Sequence, residues 1–147
     1  ILGVATLREV DYSNLDSALD KLGEDQLVKR TRHVVTENQR VLDTAAALDA
    51  DDWSAVGKLL TAAHASIRDD FEASCVELDI AVDMLLDSGA LGARMTGGGF
   101  GGAAIALIDE SKAEEARRTV RSVFADNGFV PPDIFIVVPS AGATRVV

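Results

Sequence analysis

Five glycines fall within the six residues from Gly97 to Gly102, a composition that excludes a stable helix or a regular strand there. The spacing of apolar residues changes across this run. Before it they recur with the period of a helix, whereas a short apolar stretch from Ala103 to Ile108 follows it. The sequence therefore predicts a helical first part and a second part with strands on both sides of a glycine turn.

Three helices are predicted ahead of the glycine run. Apolar side chains recur every seven residues over 27–48, which indicates a long helix with one buried stripe. A second helix is expected over about 51–68, with one of the two aspartates at its start as the N-cap. Ser74 and Glu77 have the spacing of a capping box, so we expect the third helix to open there and to end at Gly89.

Three strands are predicted in the second part of the chain. Residues 91–96 and 103–108 flank the glycine run and are expected to form an antiparallel pair around it. The stretch 134–138 is apolar and mostly β-branched, which is typical of a strand, and Pro139 is expected to end it.

One further helix is predicted between the second and third strands. Ser111 and Glu114 have capping-box spacing, which indicates a helix over about 112–127 that stops at Gly128. The pattern as a whole is that of an α+β fold, with helices packed on a small antiparallel sheet. We expect residues 1–147 to form one domain, because the sequence contains neither an internal repeat nor a linker.

The composition disfavours several classes of protein. With 14 basic and 24 acidic residues the net charge is −10, which would repel a nucleic-acid backbone. The single cysteine, Cys75, allows no internal disulfide, and no apolar run approaches the ~20 residues that span a bilayer. These features indicate a soluble, cytoplasmic protein with no membrane association. The apolar start at Ile1 is expected to be a fragment boundary.

The glycine run has two interpretations from its chemistry alone. Backbone amides of glycine can converge on a phosphate group, but glycine also serves simply to turn a hairpin. The run matches G-x-G-x-x-G formally, yet a strand rather than a helix follows it, and no Gly-Lys-Ser/Thr makes it a Walker A loop. Arg94 and Lys112 are the cations nearest in sequence, and either could complement phosphate charge.

Other polar residues are interpreted as structural. His33 and His64 lie on predicted helices, and neither has a second histidine or a cysteine beside it in sequence. Thr31 and Asn38 fall on or beside the apolar stripe of the long helix, where a polar group is usually a packing position. Cys75 lies in the first turn of a helix without an adjacent histidine, so we do not predict a reactive thiol. No metal site is predicted.

Motifs on and outside the glycine run resemble one family. Residues 93–96 together with 97–102 resemble motif 3 of the GHMP kinases. The particular residues are similar to those of the galactokinase branch. The stretches 29–38 and 64–79 are similar to further galactokinase segments, as is the C-terminal stretch 139–143. The resemblance implies the GHMP kinase C-terminal domain fold, ferredoxin-like with extra helices.

The resemblance also implies an activity, which is transfer of the γ-phosphoryl group of ATP to the anomeric hydroxyl of galactose. ATP and Mg²⁺ would be bound mainly by an N-terminal half, which would also supply the catalytic and metal-binding residues. This chain would contribute no catalytic residue and would be inactive alone. Its partners would be galactose, ATP and its own N-terminal half. The residues expected to contact phosphate or substrate are Thr96, Gly97, Gly98, Gly99, Phe100, Gly101 and Gly102, with Arg94 as a further candidate.

Three alternatives remain open on the sequence. The chain could belong to another GHMP kinase that phosphorylates a different small alcohol, although the stretches at Lys29 and His64 argue against this. It could also be a galactokinase-like sensor that binds ligands without catalysis. The third alternative is an interaction domain that contains a glycine hairpin, for which a large exposed apolar face would be the sign.

Overall fold

The structure is a computed structural model that describes residues 1–138, 140–142, 144 and 145. The strand end predicted at Pro139 and the last residue of the resemblance, Ala143, lie outside the described residues. The helices and strands, in chain order, are α1 (Leu15–Leu19), α2 (Asp25–Asp49), α3 (Trp53–Ser66), α4 (Val76–Asp87), β1 (Gly92–Thr96), β2 (Ala103–Leu107) and α5 (Glu110–Asp126).

The predicted long helix and the helix after it are confirmed, and they pack against each other as α2 and α3. Asp52 is the N-cap of α3, since its carboxylate accepts a hydrogen bond of 2.9 Å from the amide of Ala55. Beyond Ser66 the chain continues through one π-helical turn, Ile67–Phe71, which ends at Glu72 with a φ of 57°. None of the helices in the described residues combines the length and apolar character needed to cross a membrane.

The predicted strand pair around the glycine run is also confirmed. β1 and β2 are antiparallel, and Thr96 opposite Ala103 closes the ladder at the glycine end. β1 packs on α3 and α4, which buries Met95 to 2% exposure. The α+β class is therefore correct, with helices on one small antiparallel sheet.

Two apolar clusters lie within the core of the described chain. The first lies beneath the end of β1 and is extended by Cys75 and Ala104, while the second joins α4 to α5. The second cluster contains an edge-to-face pair of Phe124 and Phe129, with ring centroids 5.5 Å apart. The buried members are Ile67, Ala73, Leu78 and Met95 in the first cluster, and Ala81, Val120 and Phe124 in the second.

The strand predicted over 134–138 is wrong. These residues pair with neither β1 nor β2, and the side chain of Phe135 is 75% exposed. Ile134 instead packs against the α4–α5 cluster. A β-branched sequence favours a pleated, half-buried surface, but it forms a strand only where another strand offers a hydrogen-bonding partner. β2 also ends at Leu107 instead of Ile108.

The capping box predicted at Ser74 is wrong as well. The N-cap of α4 is Cys75, and no side chain caps it. The Ser74 hydroxyl donates instead to Asp79 Oδ1 at 2.6 Å, across the first turn of the helix. The reason is the register, because α4 begins one residue later than the Ser74–Glu77 spacing requires.

The second predicted capping box, Ser111–Glu114, is also wrong. α5 begins at Glu110, two residues before the predicted start, with Asp109 as its N-cap. The Asp109 carboxylate accepts a hydrogen bond of 2.9 Å from the amide of Ser111. Asp109 and not Ser111 is the N-cap because it directly precedes the first helical residue. Its negative charge is also favourable at the N-terminus of a helix.

Candidate functional site

The glycine run forms a loop whose backbone favours glycine at most of its positions. It joins the last residue of β1, Thr96, to the first of β2, Ala103. Five of its residues have a positive φ, which side chains with a Cβ rarely adopt. The values are 95° at Gly97, 93° at Gly99, 59° at Phe100, 127° at Gly101 and 110° at Gly102.

Much of this loop is open. A Cβ added at Gly97, Gly98, Gly101 or Gly102 would meet nothing within 4 Å. Within the described part of the chain, the amides of Gly98, Gly99 and Gly101 have no hydrogen-bond partner. Free backbone amides are the donors that a phosphate or another anion needs.

One side of the loop is fixed to the segment that precedes α4. The amide of Phe100 donates to the carbonyl oxygen of Ala73 at 2.7 Å. Gly99 packs against the same carbonyl group, since a Cβ added to it would lie 2.6 Å from that oxygen. The side chain of Phe100 points outward and is 78% exposed. The loop therefore presents an aromatic ring and glycine amides from one anchored backbone.

The other side of the loop is fixed through β1. The amide of Met95 donates to His64 Nδ1 at 3.2 Å, and His64 is only 3% exposed. Burial lowers the pKa of His64 and outweighs the raising effect of Asp79 beside it. His64 Nε2 lies 3.2 Å from Asp79 Oδ1, but the two are not aligned for a hydrogen bond. His64 is thus a buried residue that supports the backbone, in line with its structural interpretation.

Arg94, the further candidate for phosphate binding, is directed toward α2. Its Nη1 donates to Glu37 Oε1 at 2.8 Å, and Arg40 Nη1 donates to Glu37 Oε2 at 2.6 Å. The three side chains carry a net charge of +1. The ammonium group of Lys112 lies beside Gly89, since a Cβ on that glycine would be 2.6 Å from it. Neither cation is bonded to the loop in this structure.

An apolar groove of about 270 Å³ lies next to Arg94, between α2 and α3. The ion-paired side chains form one end of it. Its lining residues are Glu37, Arg40, Val41, Thr44, Ala45, Leu48, Leu59, Leu60, Ala63 and Arg94.

A cluster of charges holds the π-helical turn in front of Ala73. Arg30 donates to the carbonyl oxygen of Asp70 and, at 2.6 Å, to Glu72 Oε2. Arg32 binds the Asp70 carboxylate at 2.8 Å. The bond from Arg30 is the main reason that the pKa of Glu72 is lowered. These contacts fix the left-handed backbone of Glu72. They therefore also position Ala73, the next residue, which anchors the loop.

Aromatic stacking reinforces the same turn. The rings of His33 and Phe71 stack with centroids 4.6 Å apart, and Arg30 lies 5.9 Å above the Phe71 ring. His33 Nδ1 is 3.0 Å from Ser66 Oγ, and burial lowers the pKa of this histidine. The sequence interpretation singled out none of these contacts, although all of them lie in or between the two stretches that resemble galactokinases outside the loop.

The donor set beside the loop does not fit a magnesium ion. Asp79 is already bonded to Ser74 and faces His64, and Glu37 is held by two arginines. Across the described residues, His, Cys, Asp and Glu side chains never gather in a group of three that could hold a metal ion. Mg²⁺ prefers several oxygen ligands, which this part of the chain does not bring together.

The loop geometry and the α+β architecture agree with one family of phosphoryl-transfer enzymes. Residues 44–126 match the family model described as GHMP kinases C terminal, and the chain belongs to the GHMP kinase family. Within that family it is similar to galactokinases. It is 51% identical to the galactokinase of Streptomyces coelicolor over 100% of this chain and 38% of that protein. It is 45% identical to the galactokinase of Mycobacterium tuberculosis, over 98% of this chain and 39% of that protein.

Solved structures agree with the sequence comparison. The galactokinase of Lactococcus lactis complexed with galactose superposes with a TM-score of 0.82 at 38% identity, over 88% of this chain and 34% of that chain. The mevalonate kinase of L. major in complex with R-mevalonate gives a TM-score of 0.57 at 27% identity, over 80% of this chain and 35% of that chain. The chain thus spans little more than a third of the length of these relatives.

Proposed function

We propose that this chain is the C-terminal part of a galactokinase, which transfers the γ-phosphoryl group of ATP to the anomeric hydroxyl of galactose. The observation that carries the proposal is the extent of the similarity to galactokinases. It covers 98–100% of this chain in the Streptomyces coelicolor and Mycobacterium tuberculosis relatives, so it includes α2 and the charged π-helical turn as well as the loop. A shared glycine loop alone would not produce a match of this extent.

The proposed role of the loop is to position phosphate groups. Phosphoryl transfer depends on in-line geometry and on stabilisation of charge, and backbone amides can supply both without a side chain. The open amides of Gly98, Gly99 and Gly101 are the proposed donors. Thr96 adds a hydroxyl group at the end of β1, and the exposed Phe100 is proposed to contact the other half of the enzyme. Arg94 would act through the positive field of its cluster with Glu37.

The remaining parts of the active site are proposed to lie in the N-terminal half of a cytoplasmic enzyme. That half would hold Mg²⁺, most of the ATP and the catalytic residues, because the carboxylates beside the loop in this chain are already engaged. Residues 1–147 are proposed to act as one C-terminal domain. On this proposal the chain alone has no galactokinase activity.

A chimera tests the proposal. The last 38% of the Streptomyces coelicolor galactokinase is replaced by this chain, and galactose-dependent release of ADP is measured. We expect activity in the chimera and none in the chain alone. Gly101→Ala should lower kcat, because alanine is strained at a φ of 127° although nothing lies within 4 Å. Gly23→Ala is the matched control, since that glycine also has open space but no positive φ.

Two results would overturn the proposal. The first is a folded chimera that is inactive with galactose but active with mevalonate, which would indicate another GHMP kinase. The lower TM-score and identity of the mevalonate kinase make this outcome unexpected. The second is tight galactose or nucleotide binding by the chain alone, which would indicate an independent sensor module.

A further inference from the structure

We propose that His64, Asp79 and Ser74 act together as positioning residues for the glycine loop. They connect the two points at which its backbone is anchored, one in β1 and one before α4. The catalytic consequence of this arrangement rests on the proposed function. The mechanical part does not, because it concerns only how the loop is held.

The first anchor is the hydrogen bond from the Met95 amide to His64 Nδ1, which lies two residues before the loop. An acceptor role for Nδ1 fixes the tautomer of the neutral ring, so the proton resides on Nε2. That N–H group is buried and has no hydrogen-bond partner in the described residues. Asp79 Oδ1, at 3.2 Å, is the acceptor it faces.

The second anchor is the hydrogen bond from the Phe100 amide to the carbonyl oxygen of Ala73. Ser74 follows Ala73 directly, and its hydroxyl donates to Asp79 Oδ1 at 2.6 Å. The same carboxylate oxygen therefore faces both His64 and Ser74. Asp79 joins the histidine that holds β1 to the segment that holds the far side of the loop.

Filling space alone does not require this arrangement. Leucine could fill the buried space of His64, but it would leave the buried amide of Met95 without an acceptor. The loop itself has few other supports, since four of its six residues have nothing within 4 Å of a Cβ position. Its placement over the first core cluster therefore depends on the two anchors and on the group that links them.

Three variants separate the two contacts of His64, which are that of Nδ1 with the Met95 amide and that of Nε2 with Asp79. His64→Asn keeps an acceptor near the Nδ1 position and loses the contact with Asp79. His64→Gln does the reverse, and His64→Leu removes both. Asp79→Asn weakens the link while keeping the shape of the side chain. His33→Asn is the control for the Met95 amide, because His33 is a buried histidine of α2 that contacts Ser66 and Phe71 and not β1.

Hydrogen exchange measured by mass spectrometry with residue resolution, on the chimera described above, gives a readout that does not depend on activity. We expect His64→Leu to speed exchange of the Met95 amide by about tenfold, and His64→Asn to restore most of its protection. Asp79→Asn should speed exchange at both Met95 and Phe100. His33→Asn should leave the Met95 amide unchanged. Equal protection of Met95 in His64→Leu and the parent would overturn the proposal, as would an effect of Asp79→Asn confined to its own helix.

Kinetics of the same variants test the consequence for catalysis. A misplaced loop should lower kcat by about 10- to 100-fold while KM for galactose changes by less than about threefold. If His64→Leu does not fold, the Asn and Gln variants still test the positioning role, because each retains one of the two contacts of His64. A parent chimera that does not phosphorylate galactose would overturn the proposed function, while the exchange data would still decide the positioning role. Loss of protection with unchanged kcat would overturn the catalytic consequence.

Discussion

Gly57 in α3 and Gly92 at the start of β1 are in direct backbone contact. A Cβ on Gly92 would lie 1.9 Å from the carbonyl oxygen of Gly57, and a Cβ on Gly57 would lie 2.2 Å from that of Leu91. Both distances are far below van der Waals contact, and the atoms involved are backbone atoms that cannot rotate away. The helix therefore approaches the strand that leads into the glycine loop more closely than any side chain would allow.

Gly92→Ala should destabilise the fold by about 3 kcal/mol or more, because the helix and the strand must separate to admit the methyl group. Gly23→Ala is the control, as its Cβ would meet nothing within 4 Å, and we expect a change below about 1 kcal/mol. Urea unfolding of both variants measures the difference. A small effect of Gly92→Ala would contradict the close packing of α3 on β1.

Glu37→Gln should destabilise the fold by about 1–3 kcal/mol. The substitution leaves Arg40 and Arg94, both mostly buried, facing each other without the carboxylate that neutralises them. Glu114→Gln removes one partner of an ion pair whose carboxylate is 67% exposed, so it should cost less than about 1 kcal/mol. Denaturant unfolding of the two variants checks the contrast, and equal costs would contradict it.

The free energy of unfolding should fall as the pH drops below about 6.5. Burial is the first cause of the lowered pKa of both His33 and His64, so each takes up a proton more readily when unfolded. Their contribution is present above the unfolded pKa and is lost as the pH falls toward the folded pKa. Urea unfolding at pH 7.5 and 5.5 measures the slope. The double variant His33→Asn, His64→Asn should flatten it, and an unchanged slope would assign the effect to other groups.

Asp109→Ala should cost about 1 kcal/mol by removing the N-cap of α5. Glu114→Ala should cost less, because Glu114 bonds Arg117 on the helix surface and does not close a capping box. Thermal unfolding followed by circular dichroism compares the two. The reverse order would support the Ser111–Glu114 box that the sequence pattern predicts.

The elements with strong periodic patterns could be predicted from the sequence. The seven-residue spacing over 27–48 lies within α2, and the glycine run correctly marked the turn between β1 and β2. These signals are local, since each depends on residues that are neighbours along one element. The capping boxes failed because a shift of one or two residues in a helix start changes which side chain reaches the free amides.

Contacts between distant segments could not be predicted. Glu37 and Arg94 are 57 residues apart, and no pattern within either segment indicates that they meet. The link from His64 to Met95 crosses 31 residues and leaves no spacing rule. The expected third strand failed for the same reason, because residues 134–138 have strand composition but their pairing depends on another segment of the chain.

The open glycines of the loop have a consequence for chirality. At Gly97, Gly101 and Gly102 there is room for a methyl group, yet φ lies between 95° and 127°, where an L-residue is strained. The restriction at these positions is one of handedness and not of space. No L-amino acid can satisfy it without strain, whereas a D-residue would adopt such a φ as its ordinary conformation. Glycine, the one achiral residue of the genetic code, is therefore the only encoded residue that lets this backbone form without strain.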